Sequence, residues 1–342
     1  MKGLLKFSGV LLGCSLLCCL IGCGDQTNSW VKNTNAGGAL GTSYSIIYLS
    51  KDTLNFQMGI DSVFYAVNAS MSTYLPDSDI SKINKGDLTV VVDHMFKEVF
   101  TLAKEVYAAT DGYFDPTVGV LVNAWGFGPE ARIEMDSVSV KELLKYVGLN
   151  KVRLTSENLI QKDFPQIELD FNAIAKGYAI DRLAAYLDSK EIENYLVEVG
   201  GEIVTKGENQ LKNKMWVVGV DDPQVELGRQ LKITLLLKDQ ALASSGNYRK
   251  FRIDSLTGKR YVHTIDPKTG FTKNSNVLAA SVIAGNCATA DAYATAFMAM
   301  DVQKSMGILE NTTGLEGYLI YLDETGAVQE FMTPGFKEQV VW

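Results

Sequence analysis

The chain has 342 residues, 46% of them hydrophobic and 21% charged, with 32 Lys+Arg against 40 Asp+Glu and a formal net charge of −8. That length buries a core without disulfide or metal staples, as one large domain or two ordinary ones. An ordinary apolar share and aperiodic Gly and Pro exclude a disordered, collagenous or repeat protein, and an acidic balance with no Lys/Arg run excludes a general nucleic-acid binder, while leaving room for a small anion bound locally.

Residues Met1 to Cys23 carry Lys2 and Lys6 and then an apolar run from Gly9 to Ile21 that is too short to span a bilayer comfortably, the pattern of a signal peptide. Its end, Leu20-Ile21-Gly22-Cys23, resembles the lipobox of bacterial lipoproteins, in which the cysteine is acylated. The expected organisation is a signal peptide over 1–22, a lipidated Cys23 with a flexible tether over 23–38, and a single globular unit over 39–342. More than one acyl chain makes such anchoring stable, so the expected location is the bacterial cell envelope, lipid-anchored to a membrane and facing the periplasm. Cys14, Cys18 and Cys19 leave with the signal and Cys23 is consumed, so Cys287 alone remains; in its Ala-rich stretch it reads as a buried structural thiol, not a nucleophile.

Gly41 to Leu49 alternates and is rich in β-branched and aromatic residues, which predicts a strand. Helical spacing of Ile60, Val63, Phe64 and Val67, and of Phe96, Val99, Phe100, Ala103 and Tyr107, predicts two amphipathic helices, the second ending at Asp111-Gly112. A third helix is predicted over Ala173–Leu187 and a fourth, Ala-rich, over Ala288–Met300. Strand-like runs cover Tyr195–Val199, Met215–Val220, Leu231–Leu237, Val277–Ile283 and Tyr318–Leu322. Without regular strand-helix alternation, the mixture predicts an α+β fold rather than a doubly wound sheet.

No GxxxxGK[ST] loop and no GxGxxG turn after a strand is present, and His94 and His263 alone cannot make a His-based zinc pattern. What remains is a set of polar islands inside apolar segments, each a poor fit to its local structure. In Thr289-Ala290-Asp291-Ala292-Tyr293-Ala294-Thr295, Asp291 and Thr295 project from one helix face, as a carboxylate and hydroxyl for a hard cation or as a cap and a bystander. In Asp170 to Gly177, Lys176 falls in the first turns of a helix, where it opposes the dipole unless it answers an anion; a surface stem is the plain alternative. Thr110 to Gly119, with Trp125-Gly126-Phe127-Gly128-Pro129, offers aromatics among glycines, either a slot for a flat ring or a turn with core aromatics. Gly200-Gly201-Glu202 follows a strand and either passes close to a pyrophosphate or makes a bulge. His263 precedes a turn-forming Asp266-Pro267-Lys268-Thr269-Gly270 and is a base or a packed residue.

In order and wording these islands resemble the ApbE family of FAD:protein FMN transferases from about Leu40 to Met300. The matching segments are Leu40-Gly41-Thr42, Met71-Ser72-Thr73-Tyr74, Asp111 to Gly119, Asp170 to Gly177, Val199 to Ile203, Ser245-Gly246-Asn247-Tyr248, His263 to Gly270 and Ala290-Asp291-Ala292. The resemblance implies an ApbE-like, T-fold-related α+β unit of mixed sheets and packed helices. It implies cleavage of FAD at the pyrophosphate, transfer of FMN to a Thr hydroxyl as a phosphoester, and release of AMP. By carry-over, the Ala173 carbonyl, Asp291 and Thr295 would hold Mg²⁺, while Asp170 and Lys176 would contact the dinucleotide. Leu40, Tyr74, Tyr113, Phe114, Asp115 and Ile265 match positions lining the FAD site, Cys23 matches the usual lipidated residue, and His263 matches a His proposed to activate the acceptor. The expected partners are FAD and flavinylated proteins such as subunits of Na⁺-translocating NADH:quinone oxidoreductase or Rnf-type complexes. Leu40 stands where the family commonly has Met; aromatic Tyr74 resembles the transferases rather than relatives that mainly hydrolyse FAD. A Mg²⁺-dependent FAD pyrophosphatase and a non-catalytic FAD-binding lipoprotein are the alternatives.

Overall fold

A computed structural model describes residues 30–225, 230–246, 251–253, 260–273 and 275–341. The expected signal peptide, Cys23, the first part of the expected tether up to residue 29, and Asn247 and Tyr248 lie outside them. The strands are β1 (Val31–Ala39), β2 (Thr42–Ser50), β3 (Val152–Leu154), β4 (Ile160–Lys162), β5 (Asn194–Val199), β6 (Glu202–Lys206), β7 (Trp216–Asp221), β8 (Leu231–Leu237), β9 (Ala241–Gly246), β10 (Phe251–Ile253), β11 (Arg260–Val262), β12 (Val277–Ala284), β13 (Glu316–Leu322), β14 (Val328–Met332) and β15 (Val340–Val341). The helices are α1 (Gln57–Met71), α2 (Asp79–Asn84), α3 (His94–Ala109), α4 (Gly119–Ala124), α5 (Ser137–Leu144), α6 (Ala175–Asp188), α7 (Cys287–Ala299), α8 (Val302–Asn311) and α9 (Pro334–Glu338).

An eight-stranded sheet in the order β1-β2-β5-β6-β9-β12-β13-β14 runs through the molecule, and every pairing within it is antiparallel. Because side chains alternate along a strand, the central strands β6, β9, β12 and β13 serve two cores. Ile46, Tyr48, Val197, Val204, Ala243, Ala280 and Val282 face the helices, while Ile203, Leu242, Ala279 and Ile283 face Val218, Val220, Leu235 and Leu237 of the three-stranded sheet β15-β8-β7. The architecture is therefore α+β, as the mixture of predicted elements indicated.

One expectation is corrected. Residues 31–38 were expected to belong to the flexible tether, but Val31–Ala39 is an edge strand paired residue by residue with β2. Its sequence, VKNTNAGGA, is poor in β-formers; side-chain hydrogen bonds supply what propensity does not. Asn33 Nδ2 donates to Ser50 Oγ at 2.8 Å, Asn33 Oδ1 accepts from the Leu54 N–H at 2.7 Å, and Tyr48 Oη donates to Asn35 Oδ1 at 3.0 Å.

Helix α7 is apolar all round and lies buried between β9 and β12, α6 and α3, the placement such a helix requires. Cys287 at its first position is fully buried, as expected. Burial of the whole helix also buries Asp291, which makes that residue a problem the surrounding atoms must solve.

Candidate functional site

Helices α6 and α7 touch through Gly177. A Cβ there would lie 2.4 Å from the Cys287 carbonyl oxygen, so only glycine allows this approach. Asp181, one turn further along α6, accepts the N–H groups of Cys287 and Ala288 at 2.7 and 2.8 Å, and Asn286 caps the Thr289 N–H. These two side chains satisfy the orphan donors of the α7 N-terminus, leaving Asp291 free of a capping role. Burial pushes the Asp181 carboxyl up to about 6, against the pull of those N–H groups.

Asp291 is 4% exposed, and its Oδ2 accepts the Gly177 N–H at 3.0 Å. In an uninterrupted helix that N–H would go to the Ala173 carbonyl, four residues back. Among the described residues no backbone N–H donates to the Ala173 carbonyl, so the bond to Asp291 leaves this oxygen available at the mouth of α6. Thr295, one turn beyond Asp291 on α7, is half-buried, with its Oγ1 at 3.4 Å from Ser245 Oγ on β9.

Lys176 Nζ sits 2.6 Å from Glu202 Oε1. The anion that a Lys at a helix start requires is thus supplied by β6. Burial alone would lower the Lys176 ammonium, but the attraction of Glu202 and then Asp291 outweighs it and holds the charge on. Burial first, and the charge of Asp291 second, push the Glu202 carboxyl up despite Lys176. Its Oε2 is buried and has no hydrogen-bond partner. Two buried carboxylates face one ammonium here, an excess of negative charge with an unsatisfied oxygen. A backbone carbonyl, a carboxylate and a hydroxyl form an all-oxygen donor set suited to a hard divalent cation. No three His, Cys, Asp or Glu side chains converge as a metal cluster among the described residues, so such a set has to use the carbonyl and the hydroxyl.

Two hairpin turns form one edge of the site. Leu40 and Gly41 join β1 to β2 with φ of 52° and 73°, and Gly200 and Gly201 join β5 to β6 with φ of 61° and 99°. Both are two-residue turns with left-handed backbone; the glycine pair makes a hairpin, not a bulge. The Gly200 N–H donates to the Ser43 carbonyl at 3.0 Å and ties the turns together.

Tyr74 is 57% exposed; partial burial first and the charge of Asp170 second raise its phenol. Asp170 donates its N–H to the Pro116 carbonyl at 2.7 Å, which joins its segment to the Asp115 turn. Phe114 is core. Asp115 is turned inward, accepting the Thr117 N–H at 2.9 Å and the Thr117 hydroxyl at 2.6 Å, and burial pushes it up to about 6. The side chain therefore holds the turn's shape. Trp125 Nε1 donates to the Gly270 carbonyl at 2.9 Å, and Lys268 Nζ lies 5.6 Å from the Tyr113 ring centre and 3.7 Å from Asp111 Oδ2. The island from Thr110 to Pro129 thus meets the one from His263 to Gly270. Ile265 is buried beside Trp125 and Leu121, and His263, half-buried, directly follows β11. A surface hollow of about 510 Å³ lined by Thr110, Asp111, Met300 and Lys304 includes neither Asp291 nor Lys176.

Glu202, Asp181 and Ser245 were not singled out as individual site residues. Glu202 carried a signal in an acid placed at the start of a strand after a glycine pair; Asp181 lies on an ordinary helix face, and only the fold shows that α7 starts above it.

The ApbE family model matches residues 40–319. The FAD:protein FMN transferase of Haemophilus influenzae is 32% identical over 306 residues, covering 86% of this chain and 87% of that protein. The FAD:protein FMN transferase of Vibrio cholerae is 37% identical over 290 residues, covering 80% and 83%. Among solved structures, the flavin transferase ApbE from Vibrio cholerae superposes with a TM-score of 0.80 at 32% identity over 91% of this chain and 100% of that one. The apo flavinyl transferase ApbE of Pseudomonas stutzeri gives 0.79 at 25% identity over 91% and 97%.

Proposed function

The chain belongs to the ApbE family, and on that premise we propose that it is an FAD:protein FMN transferase of the periplasmic membrane surface. A Thr hydroxyl of the acceptor attacks the FMN phosphorus of FAD, the P–O bond to the AMP half breaks, AMP leaves with the bridging oxygen, and the Thr proton passes to a base. FMN remains on the acceptor as a phosphoester. Acceptors of this kind are the extracytoplasmic flavoprotein subunits of Na⁺-translocating NADH:quinone oxidoreductase or Rnf-type complexes.

The observation that carries this proposal is the freed Ala173 carbonyl beside buried Asp291 and Lys176. Ala173, Asp291 and Thr295 would hold Mg²⁺, which when bound withdraws charge from the pyrophosphate. The protein's own groups do the rest. Phosphoryl transfer asks mainly for positioning and charge neutralisation, and Lys176 brings a cation whose positive charge the site maintains. Leu40, Tyr74 and Tyr113 would line the dinucleotide and Asp170 would contact it, while the buried Phe114, Asp115 and Ile265 hold those walls in place from behind. His263 would take the acceptor proton, a role that needs a neutral imidazole within hydrogen-bond reach of that hydroxyl.

Metal removal tests the cation role: with EDTA in excess, AMP release from FAD, followed by chromatography, is expected to stop and to return on adding Mg²⁺. Release that continues in EDTA overturns it.

A further inference from the structure

The strand register fixes which end of the molecule carries the site. At one end of the sheet Ala39 pairs with Thr42, Tyr44 with Val199 and Val199 with Glu202; at the other, Val31 pairs with Ser50, Leu49 with Asn194 and Tyr195 with Lys206. Residues around Glu202 therefore lie one strand length from the start of β1, about 30 Å for its nine residues. The start of β1 is also where the chain arrives from Cys23. Eight residues from Cys23 to Val31 reach at most about 27 Å when fully extended.

That same end bears one hollow lined by lysines and apolar side chains. Lys32, Lys212 and Lys214 surround a hollow floored by Ile47, Leu49 and Leu196, and none of the three lysines has an ion pair among the described residues. Leu211 and Val217 beside them are 50% and 44% exposed. Trp30, the first described residue, carries the Lys51 ammonium 3.6 Å from its ring centre. An amphipathic indole, exposed aliphatic side chains and lysines without an ion pair among the described residues suit a bilayer interface with anionic headgroups, which attracts lysines near its surface.

We propose that the face bearing Lys32, Lys212, Lys214, Leu211 and Trp30 docks on the anionic lipid surface that holds the anchor, so that the flavin-transfer site points away from the membrane. This rests on the lipid-anchor reading of Cys23, not on the transfer chemistry.

The test uses the full lipidated chain on vesicles of phosphatidylcholine with phosphatidylglycerol, labelled briefly with a water-soluble amine reagent and read peptide by peptide by mass spectrometry. Lys32, Lys212 and Lys214 are expected to label at least about fivefold more slowly than on the same chain in phosphatidylcholine alone, with Lys268 and Lys304 unchanged. The double variant Lys212→Glu/Lys214→Glu should lose the slowing at Lys32 and keep its FAD cleavage. Equal labelling of the three lysines on both membranes, with an acyl mass on Cys23, overturns the docking face alone. Absence of any acyl mass on Cys23 overturns the anchor reading, and the docking face with it, without touching the transferase assignment.

Discussion

The Gly177 N–H donates to Asp291 Oδ2 at 3.0 Å, not to the Ala173 carbonyl one turn earlier. One hydrogen bond thereby does two things: it orients a buried carboxylate on α7 and frees a backbone oxygen at the start of α6. The two helices must lie in near contact for it to form.

Gly177→Ala is therefore expected to damage both stability and cation binding. Its new Cβ would meet backbone, at 2.4 Å from the Cys287 oxygen and 2.9 Å from Ala288 Cα, and cannot be relieved by a rotamer change. Overpacking of this kind costs about 2 kcal/mol, read as a lower urea midpoint. Mg²⁺ titration calorimetry of the folded variant should show weaker binding than the parent; unchanged affinity would separate the helix contact from the metal role.

The buried pair Lys176 and Glu202 makes a second prediction. Lys176→Met leaves Glu202 with neither oxygen paired, and breaking a buried pair from one side costs about 3 kcal/mol. Adding Glu202→Gln to that variant removes the stranded charge and should restore much of the loss in urea denaturation. Additive losses in the double variant would mean that the two side chains do not act as a pair.

Much of this was legible beforehand. The α+β class and the main helices followed from periodicity, because α1, α3 and α6 each bury one face. β1 was missed because its stability comes from Asn33 and Asn35 bonding to residues 13 to 22 positions away, which no local pattern records. Asp291 stood out as an acid in an Ala-rich helix. On spacing alone it was as consistent with a cap; the cap proved to be Asn286, with Asp181 beneath the helix start. Sequence spacing gives the face of a helix, but not which other chain segment lies against it.

Asp115 gives a pH signature. Its carboxyl is raised from 3.8 to about 6 by burial, so the folded state holds the proton more tightly than the unfolded one. The associated stability is complete below pH 3.8 and is lost as pH rises through about 6, an effect of about 3 kcal/mol. Asp115→Asn cannot ionise, so its stability should fall less than the parent's between pH 4 and pH 7, by about that amount. Parallel curves in urea titrations at several pH values would show that Asp115 does not titrate in this window.

The most direct test of the proposed activity is the intact mass of an acceptor domain bearing its target Thr, incubated with the enzyme, FAD and Mg²⁺. A gain of one FMN as a phosphoester, localised to that Thr and matched by released AMP, is the expected result. Free FMN and AMP with the acceptor mass unchanged would contradict transfer, and would mean that the exposed ring of Tyr74 leaves water, not the acceptor hydroxyl, as the nucleophile.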